Sequence, residues 1–94
     1  MNKTGVIYMF TSPTGKKYVG QTIRLQKRIN QHINSSLNEN DLGYNYAFHR
    51  AIRKYGFDSF KFQILETNIP REKLDDREMY WINEMKSFGQ CGYN

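Results

Sequence analysis

The chain has 94 residues, of which 38% are hydrophobic and 24% charged, and a single cysteine, Cys91. This length suffices for one domain with one core, and one thiol excludes both an internal disulfide and a zinc site built from several cysteines. No apolar run approaches the roughly 18–20 residues of a membrane span, and no signal peptide precedes the first predicted strand. We therefore expect a single folded domain over residues 1–94 with no membrane partner.

Charge is distributed unevenly along the chain. Fourteen Lys and Arg against nine Asp and Glu give a net charge of +5. Residues 1–56 carry nine basic and two acidic side chains, whereas residues 57–94 carry five and seven. A basic half favours a polyanionic partner, nucleic acid before membrane, although it also fits a domain that faces an acidic protein.

The first part of the chain predicts a β-hairpin. Residues 5–10 are β-branched and aromatic, which is typical of a strand. The turn at 12–15 has Pro at its second and Gly at its fourth position, so residues 16–20 are predicted to return as the second strand. Tyr8 and Tyr18 can then face the same side, where packing is the simplest role for a tyrosine.

Two helices are predicted next, separated by a polar loop. Apolar residues at 25, 29 and 33 form one stripe of a helix over 23–33. A second helix is predicted over 44–55, with Gly56 as its C-terminal cap. Its outer side is predicted to carry His49, Arg50, Arg53 and Lys54, either as a solvated face or as contacts to a DNA backbone.

The remainder of the chain predicts a strand and a long helix. Residues 60–66 begin with alternation typical of a strand, and Pro70 suits the first turn of a helix that ends near Lys86. The element order is therefore β-β-α-α-β-α. This order predicts an α+β fold, with a small three-stranded antiparallel sheet flanked by three helices.

Glu78 stands out in the apolar stripe of the final helix, because it lies between Leu74 and Ile82 at intervals of four. A carboxylate directed toward core residues needs a cation nearby, whether Arg, Lys or a bound metal. Alternatively, Glu78 lies at the edge of the stripe, where it reaches solvent or pairs with Lys73 or Arg77.

The first helix offers a complementary pair. Arg28 and His32 are four residues apart and share a face beside the apolar stripe. Such a pair can bind a phosphate oxygen, the Arg through its planar fork. A solvated helix edge is the alternative.

Several short motifs follow one another along the chain in a recognisable order. Val-Ile-Tyr at 6–8 and Tyr-Val-Gly at 18–20 place two tyrosines ten residues apart. Arg28 follows ten residues after Tyr18, and His32 follows four residues after Arg28. Glu78 precedes Tyr-Trp-Ile, and Gly-Tyr-Asn occupies 92–94. Together these motifs resemble the GIY-YIG nuclease family, most closely the catalytic domains of phage and intron homing endonucleases, over nearly the whole chain.

This resemblance implies a GIY-YIG-like fold and a divalent-metal-dependent endonuclease that hydrolyses phosphodiester bonds in DNA. It implies Tyr18 as the general base, Arg28 as the group that stabilises the phosphate, and Glu78 as the only protein ligand of one Mg²⁺ or Mn²⁺ ion. Further implied roles are orientation of water or phosphate by Tyr8, proton movement or phosphate binding by His32, and bracing of the site by Asn94.

The implied partner is double-stranded DNA, in the cytoplasm of a bacterial or phage-infected cell. The predicted DNA contacts are Lys16, Lys27, His49, Arg50, Arg53 and Lys54. Members of this branch can carry a further His in the loop before the second helix; residues 40–44 have none, and His49 is not expected to replace it.

Two questions stay open at this point. We expect either the catalytic part of a longer protein, with a covalently linked DNA-binding domain outside this chain, or a small stand-alone nuclease. The functional alternatives are a non-catalytic nucleic-acid-binding module of the same fold and a structural domain that binds an acidic protein.

Overall fold

A three-stranded antiparallel sheet forms the centre of the molecule, which the computed structural model describes over residues 3–94. The strands are β1 (Thr4–Thr11), β2 (Lys17–Thr22) and β3 (Lys61–Pro70). Their spatial order is β2-β1-β3, so the first strand is central and both others are edges. The predicted sheet is confirmed, and its third strand is longer than the alternation at 60–66 indicated.

Three helices complete the predicted order. They are α1 (Leu25–Leu37), α2 (Ala47–Tyr55) and α3 (Leu74–Met85), with short 3₁₀ turns at Phe57–Ser59, Arg71–Lys73 and Gly89–Cys91. Pro70 does not open the last helix as predicted, because it pairs with Thr4 at the end of an edge strand, a position that tolerates proline. Among residues 3–94, no helix combines the length and apolarity needed to cross a bilayer.

The alternation of β1 divides the core into two layers. Ile7 and Met9 pack on one face, with Val19 and the apolar stripe of α3. Tyr8 and Phe10 pack on the other face, against residues of α1 and α2. Both faces of the sheet are therefore covered, and consecutive residues of one strand serve different layers.

Gly20 is required by a close approach between the two hairpin strands. It lies opposite Tyr8 in the β1–β2 ladder. A Cβ atom at this position would collide with the phenol ring and hydroxyl of Tyr8. The glycine of the second motif thus makes room for the tyrosine of the first.

Candidate active site

Tyr8 and Tyr18 face the same side of the hairpin. The register pairs Tyr8 with Gly20 and Phe10 with Tyr18, and the two tyrosine ring centroids lie 6.3 Å apart. Tyr8 is fully buried, while Tyr18 is half-buried and stacks on Phe48 at 4.3 Å. The fold therefore brings the two phenols together on the layer formed with α1 and α2.

Arg28 acts on both phenols from the first turn of α1. Burial raises the pKa of Tyr8 and of Tyr18 above the ordinary value, and the positive charge of Arg28 opposes this rise in each case. His32 cannot supply such a charge at neutral pH, because burial, with the charges of Arg28 and His49, lowers its pKa to about 3. Arg28 is thus the cation whose charge favours release of the phenol proton from Tyr18.

Glu78 of α3 belongs to the same electrostatic site. Burial raises the pKa of its carboxyl group and the neighbouring Asp75 adds to the rise, whereas hydrogen bonding from Gln21 and the charge of Arg28 lower it. The charge of Glu78 in turn raises the pKa of Tyr18. Glu78, Tyr18 and Arg28 thus lie close enough to perturb one another, although they come from three different elements.

Arg77 is not the partner of Glu78. Its Nε donates to Glu66 Oε1 at 2.8 Å, and this is the only ion pair shorter than 4.0 Å among residues 3–94. The pairing with Arg77 that the sequence left open is therefore absent. Glu78 is a half-buried carboxylate with no cationic side chain in direct contact over the described part of the chain.

The site wraps around the free edge of β2. Gln21 pairs with Ile7 and so belongs to the face that α3 covers, and its Nε2 donates to Asp75 Oδ1 at 2.7 Å. This bond ties the end of β2 to the first turn of α3, one helical turn before Glu78. Tyr18 lies on the opposite face of the same strand, and the charge of Glu78 still raises the pKa of its phenol, so the two groups influence each other across the edge.

The C-terminal segment runs along that edge. Tyr93 N–H donates to the carbonyl of Lys17 at 2.9 Å. The side chain of Asn94 then bonds both backbone polar groups of Val19, accepting at Oδ1 and donating from Nδ2, each at 2.7 Å. Asn94 therefore fixes the backbone immediately after Tyr18, while its own side chain has both polar groups occupied.

The donor chemistry of Glu78 fits a hard divalent cation. Desolvation and the like charge of Asp75 disfavour a bare carboxylate here, and carboxylate oxygens are ligands that Mg²⁺ accepts. No cluster of three or more His, Cys, Asp or Glu side chains suited to a metal occurs within residues 3–94. A metal at this position would have Glu78 as its single side-chain ligand, which suits an ion that retains several waters.

The two histidines differ from the solvated groups that the sequence suggested. His32 is 1% exposed, and its Nε2 lies 2.7 Å from the Tyr8 hydroxyl. His49 is 5% exposed and bonds His32 and the Gly43 carbonyl through its two ring nitrogens. The prediction of an outward-facing His49 is wrong, because His49 lies beside the buried Phe48 and one turn before the buried Ile52. The spacing of three residues between His49 and the apolar Ile52 is the sequence signal that indicates the buried side of α2 for His49.

Arg53 also lies inward of the predicted solvated face. Its Nη1 donates to the carbonyls of Ser36 at 3.0 Å and Tyr44 at 2.7 Å, and its guanidinium lies 3.6 Å from the centroid of the Tyr44 ring. These contacts connect α2 to the end of α1 and to the intervening loop. Its placement on a solvated outer face is therefore wrong; its role is to hold this loop.

The other predicted DNA contacts remain exposed. Lys16, Arg50 and Lys54 line an open cleft of about 550 Å³ between the hairpin turn, α2 and the C-terminal segment. None of the residues that line this cleft, all within the described positions, is acidic. Lys27 is exposed on α1, next in sequence to Arg28.

Two phenols on a hairpin, a guanidinium from the next helix and a lone carboxylate from the last one form a site suited to phosphodiester chemistry. The sequence model of the GIY-YIG catalytic domain matches residues 4–94, so the chain belongs to the GIY-YIG family. It is therefore a nuclease domain, of a family that generally depends on a divalent metal.

Solved structures support the same assignment. A mutant catalytic domain of the intron endonuclease I-TevI is similar at a TM-score of 0.78 and 28% identity, over 97% of this chain and 92% of that one. The catalytic domain of the homing endonuclease I-TevI is similar at a TM-score of 0.76 and 28% identity, over 96% of each chain. A search of curated protein sequences finds no match. The fold is thus that of a homing endonuclease catalytic domain.

Proposed function

We propose that this domain hydrolyses phosphodiester bonds of double-stranded DNA with one divalent ion, Mg²⁺ or Mn²⁺, held by Glu78. The observation that carries the proposal is that the fold brings Tyr18 of β2, Arg28 of α1 and Glu78 of α3 into one site, where the charges of Arg28 and Glu78 both act on the Tyr18 phenol. DNA is the expected substrate because the similar structures are catalytic domains of homing endonucleases. When bound, the ion supplies Lewis-acid stabilisation of negative charge on the phosphate.

Tyr18 is the general base in this proposal. Burial and the charge of Glu78 raise the pKa of the Tyr18 phenol, whereas the charge of Arg28 lowers this pKa and so favours the phenolate. Neutralising the charge of Glu78 removes one of the two contributions that hold the proton. The same carboxylate that would bind the metal therefore controls how readily Tyr18 accepts a proton from the attacking water.

Arg28 stabilises the phosphate. Its guanidinium is half-buried beside the two phenols, where its donors are less screened than on an open surface. A planar fork of donors suits two phosphate oxygens, and loss of one such contact typically costs about a hundredfold to a thousandfold in rate.

Three supporting roles follow from the contacts. Tyr8 orients the water or the phosphate next to Tyr18. His32 serves proton arrangement and not phosphate binding, because it is buried behind Tyr8. Asn94 braces the β2 backbone through Val19.

The DNA backbone contacts exposed basic side chains in this proposal. The cleft lined by Lys16, Arg50 and Lys54 offers three exposed cations with no acidic neighbour among its lining residues, and Lys27 adds a fourth beside Arg28. Such contacts position a duplex without reading its sequence.

The decisive experiment compares cleavage of a supercoiled plasmid by the wild type and by Glu78→Gln, with Mg²⁺ and with excess chelator. Glu78→Gln preserves the shape of the side chain and removes its charge, so we expect a folded protein without Mg²⁺-dependent cleavage. Wild-type cleavage by this variant would remove Glu78 from the mechanism. Binding of DNA by the wild type without cleavage in any divalent metal would instead identify a non-catalytic module.

A second pair of variants tests the base. Tyr18→Phe keeps the ring that stacks on Phe48 and loses only the hydroxyl, so cleavage should be nearly abolished. Tyr80→Phe makes the same chemical change on an exposed position of α3 and should cleave normally. Equal rates for the two variants would assign the base to another group.

A further inference from the structure

A continuous chain of buried hydrogen bonds extends from Tyr8 into the protein. The Tyr8 hydroxyl lies 2.7 Å from His32 Nε2, and His32 Nδ1 lies 2.9 Å from His49 Nε2. The chain ends where His49 Nδ1 lies 2.7 Å from the carbonyl oxygen of Gly43. Tyr8, His32 and His49 are 0%, 1% and 5% exposed, so this chain is closed to solvent along its length.

The terminal carbonyl fixes the direction of every bond in this chain. A carbonyl oxygen only accepts, so His49 Nδ1 must carry a proton and donate to Gly43. Burial lowers the pKa of both imidazoles, and each ring therefore carries one proton at neutral pH. His49 Nε2 is then an acceptor, which requires a proton on His32 Nδ1. His32 Nε2 is left as an acceptor, so Tyr8 donates to it.

The opposite arrangement has a direct electrostatic cost. If His32 carried its proton on Nε2, two unprotonated nitrogens would face each other at 2.9 Å, one from each imidazole. Buried acceptors without a donor are costly, because they lose their hydrogen bonds to water and gain none in return. The neighbours of His49 do not favour its doubly protonated form, since the charges of Arg28 and Arg53 oppose it and only Asp41 and the Gly43 carbonyl favour it.

This direction determines what Tyr8 can do in the active site. Its only proton points inward to His32, so the lone pairs of its oxygen are all that it offers toward Tyr18, Arg28 and a bound water. A Tyr8 hydroxyl turned the other way would donate into the site and compete with the water for the base.

We propose that His49 is a positioning residue of the nuclease: together with the Gly43 carbonyl it holds His32 in the Nδ1–H tautomer and so makes the Tyr8 hydroxyl a hydrogen-bond acceptor toward the active site. This role rests on the proposed nuclease function. It also assigns a purpose to a histidine that the sequence placed on the surface, and it acts through two other side chains, without contact to substrate.

The first test measures the tautomers directly in the wild-type protein. Nitrogen-15 spectra of labelled histidine at neutral pH distinguish protonated from unprotonated ring nitrogens. We expect a proton on Nδ1 and none on Nε2 for both His32 and His49. A proton on Nε2 of either ring would overturn the proposal, whatever the cleavage activity proves to be.

The second test uses a matched pair of variants. Met and Gln have similar length and shape, but the Gln amide oxygen is a strong acceptor for His32 Nδ1, whereas the Met thioether accepts only weakly. In His49→Met we expect His32 to move to the Nε2–H tautomer and cleavage to fall about tenfold to a hundredfold, the range typical of outer-shell hydrogen-bond partners at metal sites. His49→Gln should retain the Nδ1–H tautomer of His32 and rescue most of the lost activity.

The outcomes separate the two proposals. Wild-type cleavage by His49→Met after a change of tautomer would overturn the positioning role and leave the nuclease proposal intact. Absence of cleavage in the wild type would overturn the nuclease proposal, while the tautomer spectrum still decides the direction of the chain. If His49→Met does not fold, the wild-type spectrum and the activity of His49→Gln provide the test.

Discussion

The Asn94 side chain occupies both hydrogen-bonding groups that Val19 presents at the free edge of β2, at 2.7 Å each. In a wider sheet a neighbouring strand would fill these positions. Here one amide does so, and the parallel bridge between Lys17 and Gly92 continues the pairing. The edge that carries Tyr18 is thereby closed against other partners without addition of a fourth strand.

Asn94→Asp tests this contact. The change keeps the shape of the side chain but turns its donor into a second acceptor that faces the Val19 carbonyl. We expect the free energy of unfolding in urea to fall by about 1–3 kcal/mol and plasmid cleavage to fall with it. Asn40→Asp adds the same charge at an exposed loop position and should change neither quantity. Equal effects of the two variants would show that charge alone is responsible.

Gly20→Ala should damage the site through contact with Tyr8. The added methyl group collides with the phenol, so either the β-hairpin or the Tyr8 ring must move, at a cost of about 1–3 kcal/mol. Gly15→Ala is the matched control, because its φ of +88° is strained for alanine but its Cβ would meet no atom within 4 Å. It should lose about 1 kcal/mol of stability, measured by thermal unfolding, and keep its activity.

Arg50 and Arg53 should separate DNA binding from stability. Arg50→Ala removes an exposed cation from the basic cleft, so DNA affinity should fall and its salt dependence should weaken by about one phosphate contact. Arg53→Ala leaves the carbonyls of Ser36 and Tyr44 without their donor and should lower stability by about 1–3 kcal/mol. Titration of labelled duplex at several salt concentrations and urea unfolding measure the two effects. A loss of DNA affinity in Arg53→Ala without a loss of stability would instead identify Arg53 as a DNA contact.

The buried histidine pair predicts that stability falls on mild acidification. The pKa of His32 drops from 6.5 to about 3 on folding, so between these values the unfolded chain binds more protons than the native one. The contribution of His32 to the free energy of unfolding is therefore fully present above pH 6.5. It decreases as the pH falls, by at most about 1.4 kcal/mol per pH unit. Urea unfolding between about pH 5 and about pH 6.5 measures this slope, above the range of ordinary carboxylates. In His32→Asn the slope should be smaller; an unchanged slope would assign the effect to other groups.

Local patterns predicted the architecture well. Alternation in the hairpin and the stripes at 25, 29 and 33 depend on side-chain periodicity, which the sequence states directly. The predicted order of elements and the common face of Tyr8 and Tyr18 are confirmed. Element ends were less accurate, since Pro70 fits the end of an edge strand as well as the start of a helix.

Contacts between distant segments were not predictable in the same way. The bond between His32 and His49 joins residues 17 positions apart, and the bonds between Val19 and Asn94 span 75 positions. Periodicity indicates which side of a helix is apolar, but it does not show how deeply a polar residue at the margin is buried. His49 and Arg53 both lie at such margins of α2, and in each case a backbone carbonyl from the preceding loop satisfies the side chain.

The assembly of this centre from both layers of the sheet makes it an all-or-none property of the native state. Its groups extend from Tyr8 to Asn94, and the charges of Glu78 and Arg28 act on Tyr18 only when α3 and α1 are both docked on the hairpin. A partly folded chain that keeps only one layer has an incomplete active site and should not cleave DNA. Enzymatic activity and native structure should therefore be lost at the same denaturant concentration.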